Sequence, residues 1–347
     1  MRLASERGRE AYVARAHSIE YWDSDAPRDK IRAISEYLED FRVIPAHELP
    51  SGVEYGISAT TVTVNAPKHI EYLFRRLRDQ HGVRFVRRRL DSIDAAFASP
   101  DTKVVFHCSG IAARTLPGVE DGKCFPTRGQ VVLVRAPAVK SNVMRHGRGY
   151  ETYVIPRPHS NGNAILGGYM QKGVLYAFFF LVVAVVVVLL SLLVSLQSSL
   201  CSPFPPFPLD PLLCPPSPHQ RHRHTRRRRA PSPSTPPNPT EPCYESANDA
   251  STYAQESESI VSRTTGLSRE LREGGLEVLA AFAGMRPSRE GGARVEREER
   301  HGRALVHNYG AGGTGFQAGY GMALDAVAAA DDVLRELKGD DGPRSRL

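Results

Sequence analysis

The sequence predicts an α/β fold, and three observations carry the prediction. Short apolar runs closed by Gly or Pro recur, as in DTKVVFHCSG (101–110), GQVVLVRAP (129–137) and TYVIPRP (152–158), the pattern of strands running into turns. A helical spacing lies between them: NAPKHIEYLFRRLRDQHG (65–82) has apolar residues at 70, 73, 74 and 77 and ends in Gly82. Near the end of the chain a strand, ALVHNYG (304–310), meets a helical pattern, FQAGYGMALDAVAAADDVLREL (316–337), through a turn holding Gly312, Gly313 and Gly315.

The remaining elements follow in order. VRFVRRRLDSI (83–93) alternates as a half-buried strand would, and NAILGGYM (163–170) is a further strand in which Gly167 and Gly168 allow close backbone approach. The stretch 257–287 reads as a helix, a loop and a strand-like segment closed by Pro287. These segments divide the chain into a globular part at 1–173, a contrasting stretch at 174–246, a second globular part at 247–337 and a polar tail at 338–347.

The contrasting stretch has two pieces. VLYAFFFLVVAVVVVLLSLLVSL (174–196) carries no charge, and as a helix rising 1.5 Å per residue it would run about 34 Å, enough to cross a bilayer core. Residues 197–246 are Pro- and Arg-rich: 14 of the 26 prolines fall within 203–242, a density that excludes helix and sheet.

Charge excludes one class of partner. The net +7 includes six arginines between Arg221 and Arg229, so the body of the chain is close to neutral. That run has no interleaved aromatics for base stacking, which leaves nucleic acid without support as a partner. Cys108, Cys124, Cys201, Cys214 and Cys243 make no C-x-x-C pair, and the histidines show no ligand spacing, so no metal site is expected. The first thirty residues are charged and lack the apolar core of a secretory signal, whereas the ending Ser345-Arg346-Leu347 is close to the S-K-L peroxisomal address.

Gly310, Gly312 and Gly315 spell G-x-G-x-x-G. A dinucleotide-binding βαβ needs a second strand after the helix, and only a short polar tail follows here. The helix entry still offers its N–H groups and partial positive charge, and its glycines let a flat or anionic group approach the backbone; a plain strand–helix turn needing positive φ is the alternative.

GMRPSREGGARVE (284–296) followed by HNYGAGGTGFQAGYGMA (307–323) resembles the C-terminal signature of the D-amino-acid oxidase family. CSGIAARTL (108–116), PTRGQVVLVRAP (126–137), TYVIPRP with ILGGYMQ (152–171), SIEYWDS (18–24) and ISATTVTVNAPKHIEYL (57–73) match it in order. The resemblance covers about 1–173 and 248–337. It implies a FAD-binding Rossmann-like domain interleaved with a mixed-sheet substrate domain, the former incomplete because residues 1–60 hold no strand–G-x-G-x-x-G–helix unit for the ADP half of FAD. Poor FAD binding and poor folding are the expected consequence.

By the same resemblance, the activity would be oxidation of D-amino acids by O2 to 2-oxo acids, ammonia and H2O2. Arg286 would hold the substrate carboxylate and Tyr153 would reach it through its hydroxyl, with Met170 at the position of a second substrate-binding residue. For FAD the matching positions are Leu90, Ser109, Gly110 and the neighbouring Cys108, expected to be small and buried, then Arg128, Gly129 and Gln130, and Gly312, Gly313, Thr314, Gly315, Phe316 and Gln317, the last group lying against the isoalloxazine end. A preference for acidic substrates, as in D-aspartate oxidase, stays open, and a homodimer is compatible with the family. A peroxisomal import receptor would read Ser345-Arg346-Leu347. A membrane becomes a partner only if 174–196 spans it, which would make the chain a non-catalytic single-pass protein with a Pro/Arg-rich interaction segment. Translated intronic sequence is the preferred reading of 174–246, because one span would put strands that must share a sheet on opposite sides of a bilayer.

Overall fold

The computed structural model describes residues 1–172 and 250–338. The 174–196 span, the Pro/Arg-rich stretch and Ser345-Arg346-Leu347 lie outside the described residues.

Eleven strands among the described residues form two sheets. The first eight strands are β1 (Val13–Trp22), β2 (Glu39–Val43), β3 (Tyr55–Val64), β4 (Val104–His107), β5 (Cys124–Arg135), β6 (Asn142–Gly147), β7 (Tyr150–Pro156) and β8 (Asn163–Lys172). Beyond residue 250 come β9 (Glu277–Arg289), β10 (Arg294–Arg300) and β11 (Arg303–Tyr309). An eight-stranded sheet runs β2-β3-β1-β6-β7-β8-β5-β9, and a three-stranded one runs β10-β11-β4. The large sheet is mixed, with β1 parallel to β6 and its other neighbours antiparallel. Both sheets join the two flanks of residues 173–249: β9 pairs with β5 over Cys124–Arg135, and β11 pairs in parallel with β4.

Seven α-helices among the described residues accompany them: α1 (Arg2–Ala11), α2 (Arg28–Tyr37), α3 (Ala66–His81), α4 (Ala254–Leu267), α5 (Arg269–Gly274), α6 (Gly315–Ala328) and α7 (Asp331–Lys338). Local chemistry sets their ends. Ser268 caps α5 by accepting the Leu271 N–H, and Gly275 leaves it at φ 69°, where a side chain would be strained. The Glu270 carboxylate then accepts the N–H groups of Lys140 (2.8 Å) and Ser141 (3.1 Å), tying the β5–β6 loop to the helix.

Each face of the large sheet is covered differently. Val132, Val134, Val154, Ala164 and Leu166 point to one face and are buried against Ile260 of α4 and Leu271 of α5. A buried Leu or Ile of this kind contributes about 1.5–3 kcal/mol. On the opposite face α2 covers only the β3–β1 end, where Trp22, Ile34 and Ile57 pack together. Beyond β1 none of the hydrophobic clusters among the described residues packs a helix on this second face, here called the open face.

The structure departs from the sequence expectations in four places. Residues 83–93 form no strand: among the described residues nothing pairs with 82–91, and Phe85 instead rests on Phe74 of α3, ring centroids 4.3 Å apart. Alternation alone does not make a strand without a ladder partner. The α3 stripe of Ile70, Leu73, Phe74 and Leu77 is exposed, and Tyr72 is the buried residue of that helix. Pro287 does not end its strand, because β9 is an edge and its proline faces another, Pro126. The long C-terminal helix is two helices, broken before Asp331 and Asp332, whose carboxylates suit a helix N-terminus better than an interior.

Candidate active site

Side chains on a strand alternate between faces. Arg286 on β9 lies opposite Thr127 of β5, one step from Gly129, and Tyr153 on β7 lies opposite Gly167 of β8. Both side chains lie flat across glycines. A methyl group built on Gly129 would overlap the Arg286 guanidinium, and one on Gly167 would overlap the Tyr153 ring. The two glycines on the adjacent strands β5 and β8 thus let Arg286 and Tyr153 lean toward each other over the open face. Burial raises the Tyr153 hydroxyl against the pull of the Arg286 charge, so it remains a protonated donor at neutral pH.

Arg286 Nη1 is buried and has no hydrogen-bond partner among the described residues. A guanidinium that leaves a donor open is poised for an anion, and its fork matches a carboxylate. Met170 is placed opposite Gly129 on β8 by the strand register, next to this site.

The glycine turn closes in from the other sheet. Ala311 bridges Ser288 of β9, and a methyl on Gly313 would sit 3.4 Å from Arg286 Cδ. Gly312 adopts φ 58°, and a Cβ there would be 2.9 Å from Ser288 Oγ, so this turn needs its glycine. Gly315 opens α6 with no side-chain cap and with nothing within 4 Å of where its Cβ would be. The Thr314 N–H donates to the Ala311 carbonyl at 3.1 Å, and Gly315, Phe316 and Gln317 form the first turn of α6, whose N-terminal end faces open space at Gly315. Ser109 and Gly110 follow β4, and Gly110 (φ 61°) packs against Pro287. Backbone donors, open space and a glycine cradle fit the flat, oxygen-bearing ring end of FAD.

Three expected positions are not brought into this cluster. Arg128 and Gln130 face the covered side of β5 and are fully buried. Arg128 Nη2 donates to the Ser251 carbonyl, and its guanidinium lies over the Tyr253 ring at 4.7 Å. Gln130 Nε2 donates to the Tyr253 carbonyl (2.8 Å) and Ser257 Oγ (2.9 Å), and its Oε1 accepts the Tyr253 N–H. Strand parity turns these two side chains to the face opposite that of Gly129, where they clasp the entry to α4. Leu90 lies in the unpaired 82–91 segment, and no ladder or hydrogen bond among the described residues links it to the site. Cys108 is exposed, not buried, because β4 ends at His107 and the chain turns outward. Desolvation raises its thiol pKa, so it is no activated nucleophile.

One polar network has no signature in the sequence. His107 and His307, on the paired strands β4 and β11, meet Nδ1 to Nδ1 at 3.0 Å. His107 Nε2 contacts Ser109 Oγ, and His307 Nε2 lies 3.1 Å from Glu298 Oε2. Burial, and then the neighbouring His307, lower the His107 pKa to about 4, so the pair is neutral near pH 7. Its four members are consistent with one donor direction, Ser109 to His107 to His307 to Glu298.

Comparison with known proteins decides the family. The family model described as FAD dependent oxidoreductase matches residues 2–329. The chain belongs to that family. This oxidoreductase is 34% identical over 328 residues to a D-amino-acid oxidase of Schizosaccharomyces pombe, covering 92% of this chain and 73% of the relative. A D-aspartate oxidase of Cryptococcus neoformans var. grubii is 28% identical over 85% of this chain and 68% of its own length. In fold, the flavoenzyme is similar to glycine oxidase from Geobacillus kaustophilus, with a TM-score of 0.56 at 14% identity over 95% of this chain and 76% of that one.

Proposed function

We propose that this flavoenzyme oxidises D-amino acids to 2-oxo acids with release of ammonia, and passes the electrons to O2 to give H2O2. The open donor of Arg286, buried beside the Tyr153 hydroxyl at the mouth of a glycine-lined helix entry, carries the reading. The identity to a D-amino-acid oxidase supports it.

When bound, FAD supplies the two-electron acceptor. The protein residues orient the substrate. Arg286 takes the α-carboxylate through a fork of two N–H donors, and Tyr153 donates its hydroxyl to the same group, which fixes the α-carbon over the open face. Gly129 and Gly167 keep both side chains flat. The N–H groups at Gly312–Gln317, with the dipole of α6, favour negative charge at the flavin's ring end. The described residues wall that end and offer no second glycine-rich strand–turn–helix for the pyrophosphate, so by themselves they hold FAD loosely. Residues Ser345-Arg346-Leu347 address the enzyme to the peroxisome, where H2O2 is removed.

The test is turnover of D- and L-alanine by the full chain with added FAD, scored as H2O2 and 2-oxo acid, in wild type and Arg286→Lys. D-selective turnover is expected. Arg286→Lys should lower kcat/KM by about 10²-fold, the loss of one charge-assisted hydrogen bond of about 1.5–3 kcal/mol. Flavin bound one per chain with no D-selective product would sink the proposal.

A further inference from the structure

The open face carries a second charge besides Arg286. Glu151 is two residues before Tyr153 on β7 and shares its face, since Thr152 and Val154 between and beyond them are buried on the other side. Its backbone carbonyl lies against Gly168, in the strand beside Gly167, so the residue borders the same glycine windows.

Glu151 is the inner end of a row that crosses three strands. Its Oε1 lies 3.5 Å from His146 Nδ1 on β6, and His146 Nε2 lies 3.4 Å from Glu20 Oε2 on β1. Glu20 Oε2 accepts from Lys30 Nζ of α2 at 2.9 Å. Trp22 stacks on the His146 ring, centroids 5.0 Å apart at 19°. The stacked, twice-bonded imidazole holds the Glu151 carboxylate in place, and the Glu151 side chain keeps 34% of its exposure. The His146 hydrogen bond, and beyond it the Arg286 charge, hold Glu151 below the usual carboxylate range, so it is ionised near pH 7.

We infer that Glu151 determines side-chain specificity: it is a fixed negative charge at the substrate pocket that disfavours acidic side chains and favours neutral and cationic ones. This rests on the proposed oxidation of D-amino acids. Arg286 takes the one carboxylate that every such substrate carries. A second carboxylate, as in D-aspartate, meets Glu151 with like charge, whereas the ammonium of D-lysine meets an opposite one. His146 and Lys30 offset part of this charge from further back in the row, and the nearer charge weighs more. The partial exposure of Glu151 limits the discrimination to about tenfold.

The experiment compares kcat/KM for D-aspartate, D-alanine and D-lysine in wild type and Glu151→Gln, using the full chain with FAD, and repeats the comparison as anaerobic calorimetric binding. Wild type is expected to prefer D-alanine and D-lysine. Glu151→Gln should raise the D-aspartate to D-alanine ratio about tenfold and lower the D-lysine to D-alanine ratio by a similar factor, in binding as in turnover. Glu151→Asp should restore both ratios toward wild type. Unchanged ratios in Glu151→Gln, or a wild type that prefers D-aspartate, overturn the inference and leave the oxidase reading standing. A flavin-loaded wild type that turns over no D-amino acid overturns both. If Glu151→Gln does not fold, the wild-type D-aspartate to D-alanine ratio should rise between about 0.01 M and about 1 M salt as the repulsion is screened; a flat ratio overturns the inference.

Discussion

Arg128 and Arg286 sit on neighbouring strands of one sheet and face opposite ways. Arg128 points under α4, where it donates to the Ser251 carbonyl and stacks on Tyr253. Arg286 points to the open face and keeps a buried donor without a partner among the described residues. The same side chain is a clamp on one face and, on the proposed reading, the holder of the substrate carboxylate on the other. The difference is one of strand parity, which the surrounding motif letters do not display.

The sharpest way to break this comparison is to replace each arginine by leucine and read activity and stability separately. Arg286→Leu should lower kcat/KM for a D-amino acid by about 10³-fold, since two charge-assisted hydrogen bonds to the carboxylate go at once. Its unfolding free energy should change by less than about 1 kcal/mol or rise, because a buried charge with an open donor is removed. Arg128→Leu should do the reverse: a loss of about 3 kcal/mol in chemical denaturation, with the preference among D-amino acids unchanged. Equal stability losses in the two variants would show that the faces are not distinct.

A smaller effect is expected from the glycine windows. Gly129→Ala forces the Arg286 guanidinium off its place, so turnover should fall while unfolding free energy drops by about 1–3 kcal/mol. Gly284, directly opposite on β9, has nothing within 4 Å of where its Cβ would be, and Gly284→Ala in the same assay should be nearly silent. A silent Gly129→Ala would mean that Arg286 has room to move aside.

The smallest effect is a pH dependence confined to the open face. Burial pulls the His146 pKa down, but its hydrogen bonds to Glu151 and Glu20 outweigh this and raise it. Glu20 is lowered despite burial by His146 and Lys30, and Glu151 chiefly by His146. A raised histidine contributes stability that is complete below its unfolded pKa of about 6.5 and is lost as pH climbs through the folded value. The lowered carboxylates contribute above about 4.5 and lose their contribution as pH falls through their folded values. Stability from this row is therefore fullest between about pH 5 and 6.5. His146→Gln should flatten the alkaline limb, by about 1 kcal/mol or less given the row's partial exposure. A limb that keeps its slope in the variant would assign it to another group.

Much of the site could be read in the letters because its parts are short and contiguous. The turn at Gly312–Gln317, Tyr153 in its strand and Arg286 ahead of Pro287 each sit in a run of motif residues. What stayed hidden depends on partners far away in the chain. Glu20, His146 and Glu151 come together only because β1 lies parallel to β6, and His107 meets His307 only because β4 lies beside β11. The alternation in 83–93 and the stripe on α3 predict burial that the structure does not show, because Val83, Phe85, Ile70 and Leu77 are exposed among the described residues. The Arg128 and Gln130 side chains face the covered side although their motif reads as a unit in sequence, because a strand sends alternate residues to alternate faces.

The clasp on α4 has a further consequence. Lys172 is registered opposite Thr127 on β5, and Ser251 is held by Arg128, the next residue of the same strand. The chain leaves the sheet and rejoins it at one doorway, two adjacent positions on a strand that both sheet neighbours already fix. For any flexible connection between two such fixed ends, the closure cost grows only with the logarithm of its length. Both ends of the connection are thus anchored by neighbouring residues of one strand, Thr127 and Arg128.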